Sequence, residues 1–203
     1  MSGTVQQNNK ISGGMDMIQT DHVLDAKGLA CPMPIVKTKK TMKDLEPGVV
    51  LEVQATDKGS KADIKAWAEK VGHYYLGTVE EDDVLKHYLR KASDDETVPE
   101  TKHDHVISNE ELNELLSNDA YTLLDVREPA EYAFGHIPNA VSIPLGEIEE
   151  KMTELSKDKK VLVICRTGSR SDLAAQKLSS NGFEAINVVP GMSEWNGETT
   201  SNL

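Results

Sequence analysis

Two cysteines carry the chemistry open to this chain, and each stands just ahead of a helix start. In "VLVICRTGSRSDLAA" an apolar run, Val161 to Ile164, ends in Cys165, with two arginines and a glycine close behind. The run reads as a buried strand, and a helix is expected to start near Arg170. Arg166, Thr167, Gly168 and Ser169 must then turn sharply, and Gly168 permits the turn because it tolerates positive φ. A tight turn running into a helix N-terminus points several N–H groups at one spot. Sulfur at that spot is stabilised as an anion, and Arg166 and Arg170 add positive charge. Arginine in a first helical turn meets the positive end of the helix dipole, so two of them beside a thiol point to anion binding. The chemistry that fits is a nucleophilic thiolate or a persulfide, Cys–S–S⁻, with its outer sulfur in the cradle.

Cys31, in "GLACPMPIV", is the only other cysteine. Pro32 suits the first turn of a helix, where its missing N–H would be unpaired anyway, and Pro34 is still tolerated there. This places Cys31 at or near the N-cap, where the dipole and free amides again favour a thiolate. No acid–base partner stands nearby in the sequence, which fits a carrier better than a complete enzyme.

The elements around these sites follow from periodicity. "HVLDA" and "VVLEVQAT" read as strands, the latter alternating Leu51, Val53 and Ala55 with Glu52 and Gln54. The intervening helix presents Ile35, Thr38, Met42 and Leu45 on one face. "SKADIKAWAEKVG" is a helix with Ser60 and Asp63 in capping-box positions, an Ile64, Trp67, Ala68 and Val71 stripe, and Gly72 as its stop. "HYYLGTV" and "VLKHYLRK" form a hairpin around "EEDD". The order βαβαββ implies a small α/β two-layer sandwich. Beyond it, "ISNEELNELLS" is a helix with a Ser108–Glu111 capping box. "YTLLDV", "AVSIP", "KKVLVIC" and "EAINVV" are strands alternating with helices, the order of a doubly wound parallel sheet. Such sheets bind ligands beyond the carboxyl ends of their strands, where Asp125 and Cys165 both lie.

Between the two halves, "ASDDETVPETKHDH" (92–105) has no apolar periodicity and reads as an acidic linker. The expected organisation is a polar tail over 1–17, one domain over 18–91, the linker, and a second domain over 106–203. The net charge is −12 over 203 residues. Residues 18–91 carry 12 basic and 12 acidic groups, 92–105 one and five, and 106–203 eight and 16. That acidity argues against direct nucleic-acid binding by the second domain. The polar N-terminus and the lack of any long apolar run favour a soluble, cytoplasmic protein without a membrane span. Two cysteines are no disulfide framework. His103 and His105 make only an isolated His-x-His without a Cys-x2-Cys pair, so no metal is expected. No nucleotide-binding glycine motif occurs. Lys37, Lys39, Lys40 and Lys43 read as a solvated helix face, with attraction to the acidic second domain or to an acidic partner protein as the alternative.

Two resemblances sharpen this reading. "LLDVREPAEYAFGHIPNAVSIPL", the "CRTGSRS" loop and "GMSEW" together resemble a rhodanese domain across 106–203. The resemblance implies a six-residue active-site loop, Cys165 to Arg170, with Cys165 as the nucleophile that accepts sulfane sulfur. Arg166 and Arg170 would hold an anionic donor and order the loop, Asp125 and Arg127 would brace it, and His136 would be a turn residue. Phosphatases of similar fold use a wider Cys-x5-Arg loop, whereas the spacing here is Cys-x4-Arg. "LDAKGLACPMPIVKTKK" with "TDKGSKADIKAWAEKVGH" resembles the TusA/SirA-type sulfur-carrier domain across 18–91, which implies that Cys31 carries a persulfide. The joint expectation is a sulfurtransferase with no cofactor beyond covalent persulfide. Thiosulfate or a low-molecular-weight persulfide would donate to Cys165, Cys31 would take the sulfur, and an acceptor thiol or protein would receive it. The alternative is a non-enzymatic docking or redox-sensing protein in which the two thiols pair reversibly.

Overall fold

The computed structural model describes residues 18–93 and 102–203, so the expected tail and residues 94–101 of the expected linker lie outside the described residues. The chain divides into two compact units, the first ending at Ser93.

In the first unit, β1 (His22–Ala26), α1 (Met33–Asp44), β2 (Val50–Ala55), α2 (Ser60–Val71), β3 (Tyr74–Glu81) and β4 (Val84–Arg90) follow in order. The sheet order is β1-β2-β4-β3. β1 and β2 are parallel with Ala26 opposite Ala55, and β4 runs antiparallel to β2 and β3. The β3–β4 hairpin turns at Asp82 and Asp83, both at positive φ (49° and 64°), the geometry that matches strand twist in a two-residue turn. Ala26, Met42, Leu51, Val53, Ile64, Ala68 and Leu89 form the core between helices and sheet. Ile35, Leu45 and Trp67 pack on its margin, but Val71 is 48% exposed and drops out of the expected stripe. Gly72 closes α2 in the left-handed conformation, φ 83°.

In the second unit, β5 (Val106–Ile107), α3 (Asn109–Leu115), β6 (Tyr121–Asp125), α4 (Pro129–Phe134), β7 (Val141–Ser142), α5 (Ile148–Lys151), β8 (Lys160–Ile164), α6 (Ser169–Ser180) and β9 (Ala185–Val188) build a parallel sheet in the order β5-β9-β8-β6-β7. The Ser108–Glu111 capping box opens α3. β8 is central and buried on both faces, which is why it shows no polar alternation. Its Val161 and Val163 join α5 and α6 residues in one core. Leu162 and Ile164 join Leu112, Ile137 and Val188 in another.

The units reach into the stretch read as linker. The Ala92 amide donates to His73 Nδ1 at 3.4 Å. The amides of Lys102 and His103 donate to Asp172 Oδ1 on α6 at 3.0 and 2.9 Å, and the Asn187 amide donates to His105 O at 2.9 Å. Apolar content alone could not show these backbone bonds.

Candidate active site

Parallel pairing decides which loops become neighbours. Asp125 at the end of β6 lies opposite Ile164 at the end of β8, so the β6–α4 and β8–α6 loops leave the sheet side by side. The β9 exit adds a third loop, Gly191 to Trp195, against the same place. The Met192 and Ser193 amides donate to the Cys165 and Arg166 carbonyls, both at 2.9 Å. Gly191 is itself held through its N–H and C=O by the buried Asn109 side chain.

This framework holds Cys165 buried, 1% exposed, with its sulfur turned toward donors. The Gly168 N–H donates to Sγ at 3.1 Å, and the Ser171 hydroxyl lies 3.3 Å from it. That hydroxyl also reaches Gly168 O at 3.1 Å. Gly168 adopts φ 99° at the N-cap of α6, the conformation that aims its amide at the sulfur. Arg166, Thr167 and Ser169 are half-buried along the loop, and Ser169 Oγ is buried without a hydrogen-bond partner among the described residues. Ser171 escaped the sequence reading because it lies one residue past the six-residue loop. Serine in a first helical turn beside a strand-end cysteine is the signal that could have found it.

Arg170 reaches Glu131 on α4 through both terminal nitrogens, at 2.7 and 3.0 Å, and both side chains are buried. It therefore ties α6 to α4. Glu131 was missed because no local pattern links it to a position 39 residues away. Arg127 grips Asp125 at 2.6 to 3.0 Å and donates to Gly135 O at 2.7 Å, so this pair braces the neighbouring strand end. His136 is buried, donates from Nδ1 to Tyr132 O at 2.8 Å and stacks on the Tyr132 ring; its backbone pairs with Thr200 in an isolated β-bridge, so it is not the turn residue expected.

The first unit repeats the topological device with opposite electrostatics. The loops after β1 and β2 adjoin, and the Gly28 N–H donates to Thr56 Oγ1 at 2.9 Å to join them. Pro32, not Cys31, is the N-cap of α1. It has no N–H to offer, and the Met33 amide is spent on Ala30 O at 2.9 Å. The exposed Cys31 thiol instead donates to Asp63 Oδ2 at 3.5 Å. That bond, with the nearby charges of Asp63 and Asp57, raises its pKa above the ordinary thiol value. Cys31 thus lies next to the N-cap, as its sequence implied, and its thiol faces a carboxylate where backbone amides were expected.

The capping box expected at Ser60 is also absent. Gly59 is the N-cap, and Ser60 Oγ donates to Asp57 O at 2.6 Å. That leaves Ser60 to accept from Nε2–H of the buried His87 at 2.9 Å. Nδ1 then accepts from Tyr75 or Thr78, each at 3.0 Å. Burial and the charge of Lys61 push the His87 pKa down to about 4. The network pins the start of α2, one turn before Asp63.

Among the described residues no group of three histidine, cysteine, aspartate or glutamate side chains is placed to hold a metal ion. No helix among them is long and apolar enough to cross a membrane. Lys37, Lys39, Lys40 and Lys43 are exposed along α1.

Comparison with known proteins agrees with this division. Residues 22–91 match the family Sulfurtransferase TusA, and residues 108–198 match the Rhodanese-like domain. YrkF of Bacillus subtilis, provisionally named a sulfur carrier protein, is 48% identical over 184 residues, covering 90% of this chain and 100% of YrkF. YtwF of the same organism, provisionally named a sulfurtransferase, is 51% identical over 77 residues, 38% of this chain and 75% of YtwF. A solved rhodanese-related protein from Thermoplasma volcanium is 39% identical, covers 47% of this chain and 97% of its own, and has a TM-score of 0.45.

Proposed function

Because the chain belongs to the family of YrkF and itself joins a TusA unit to a rhodanese unit, we propose that it relays sulfane sulfur from a small donor through Cys165 to Cys31. The donor is thiosulfate or a low-molecular-weight persulfide. The final acceptor is a thiol or a sulfur-accepting protein, and the sulfur travels covalently, without a separate cofactor.

In the first step the Cys165 thiolate attacks the outer sulfur of thiosulfate. A new S–S bond forms, the S–S bond of thiosulfate breaks, and sulfite leaves with the electron pair, giving Cys165–S–S⁻. The observation that carries this reading is the buried Sγ facing the Gly168 amide at 3.1 Å and the Ser171 hydroxyl at 3.3 Å. The Gly168 amide is fixed toward the sulfur, and the Ser171 hydroxyl, whose single proton is shared between Sγ and Gly168 O, can turn to it as negative charge develops. The added sulfur carries the reactive atom about 2 Å beyond the buried Sγ. In the second step Cys31 sulfur attacks that outer atom, and the electron pair returns to Cys165 Sγ, again facing the same donors. Because both thiols belong to one chain, the second step is intramolecular, and the length of the connecting chain sets its effective concentration.

The test is persulfide mapping by mass spectrometry on the full chain, with each cysteine replaced in turn. In Cys31→Ala, Cys165 should gain one sulfur from thiosulfate and keep it. In Cys165→Ala, Cys31 should stay unloaded when thiosulfate is the donor; loading from thiosulfate at the unmodified rate would reject the relay.

A further inference from the structure

We propose that Asp63 accepts the thiol proton of Cys31 as that cysteine takes up sulfur, which makes this carboxylate the proton acceptor of the carrier unit. The inference deepens the relay and rests on Cys31 being a sulfur acceptor.

The geometry comes first. Cys31 Sγ and Asp63 Oδ2 are 3.5 Å apart, with the thiol as donor, across 32 residues of sequence. Asp63 lies in the first turn of α2, where the helix dipole favours negative charge. The Ser60–His87 bond at 2.9 Å fixes that helix start. The charged groups that act on Sγ are Asp63 on α2 and Asp57 in the β2–α2 loop, both carboxylates. Neither favours a thiolate, so the resting group is the thiol.

The chemistry then requires a base. A thiol is a weak nucleophile toward sulfane sulfur; the thiolate reacts. A carboxylate in hydrogen-bond reach can take the proton while the new bond forms. Written in full, Cys165–S–S⁻, Cys31–SH and Asp63–COO⁻ give Cys165–S⁻, Cys31–S–S⁻ and Asp63–COOH. The bond from Cys31 Sγ to the outer sulfur forms, the Cys165 S–S bond breaks with its electron pair going to Cys165, and the proton moves to Asp63. The same carboxylate protects the exposed thiol. With its proton held, Cys31 presents little standing thiolate to alkylating agents met in solution.

The test uses the full chain carrying Cys165→Ala, with glutathione persulfide as donor, so that loading of Cys31 is read apart from the relay. Asp63→Asn removes the charge. Its Cys31 should be alkylated by iodoacetamide several-fold faster near neutral pH, yet loaded with sulfur slower by on the order of tenfold. That is below the usual general-base range because water reaches this thiol. Asp63→Glu should recover most of the loading. Faster alkylation with equal or faster loading would overturn the proposal, since Asp63 would then only restrain the thiol. Unchanged alkylation would overturn it too, and so would Asp63→Glu loading as slowly as Asp63→Asn. If Cys31 loads normally from glutathione persulfide but never from thiosulfate in the unmodified chain, the relay fails while the role of Asp63 stands.

Discussion

Arg170 and Glu131 form a buried two-pronged ion pair, 2.7 and 3.0 Å, that links the helix after Cys165 to the helix after β6. A buried pair contributes little over an apolar substitute, but breaking one side strands a charge at a cost of about 3–5 kcal/mol. Glu131→Ala should therefore lower the stability of the second unit by that amount, measured by urea unfolding followed through Trp195. Sulfurtransferase turnover should fall alike in Glu131→Ala and Arg170→Ala, because both release the same brace. A rise in KM for thiosulfate confined to Arg170→Ala would show that the guanidinium holds the donor directly.

Two glycines support the sulfur loop, and their neighbours rank them. A methyl group at Gly168, φ 99°, would meet Val189 Cγ2 at 3.0 Å, the end of a side chain that can shift. A methyl group at Gly191, φ 83°, would stand 2.5 Å from the Cys165 carbonyl oxygen and 3.1 Å from that of Arg166. Gly168→Ala should cost about 1–2 kcal/mol of backbone strain. Gly191→Ala must displace the loop itself, and displacement near 1 Å can cost about a hundredfold in rate. Thiosulfate:cyanide turnover should rank unmodified protein, then Gly168→Ala, then Gly191→Ala. The reverse order would mean the β9 exit does not set the loop.

Ser171 offers the second donor to Cys165 sulfur. Its loss in Ser171→Ala should slow turnover by on the order of tenfold, the worth of one hydrogen bond to a charged group. The thermal midpoint, read in parallel, accounts for the bond to Gly168 O. Unchanged turnover would leave the Gly168 amide as the working donor.

What the sequence disclosed and what it hid follow from how far each cause reaches along the chain. The Cys165 loop was legible because an apolar strand, a permissive glycine and a helix start adjoin within a few residues. The Ser108–Glu111 box was legible for the same reason. Ser60 and Asp63 show an equally good local pattern, yet Ser60 turns to His87, 27 residues on. Asp63 is left to face Cys31, which only the parallel pairing of β1 with β2 brings near. Glu131 was hidden in the same way, behind the pairing of β6 with β8. Sites at the ends of parallel strands draw partners from adjacent loops, and strand order decides which loops those are.

His87 makes the first unit sensitive to acid. It is buried, its pKa is pushed down to about 4 from 6.5, and burial is the larger cause, ahead of the Lys61 charge. The unfolded chain therefore binds the proton first as pH falls. The stability that neutral His87 contributes is fully present above about pH 6.5 and is lost as pH falls toward 4, about 3 kcal/mol in all. Protonation would also turn Nδ1 from an acceptor into a donor, so the Tyr75 or Thr78 hydroxyl, both at 3.0 Å, would have to rotate to accept from it. Urea unfolding of the full chain carrying Trp195→Phe isolates Trp67, which packs on the core of this unit. Its midpoint should drop between neutral pH and pH of about 4.5 by more than that of the same chain with His87→Gln, which cannot take up the proton. Equal drops in the two chains would place the acid sensitivity elsewhere.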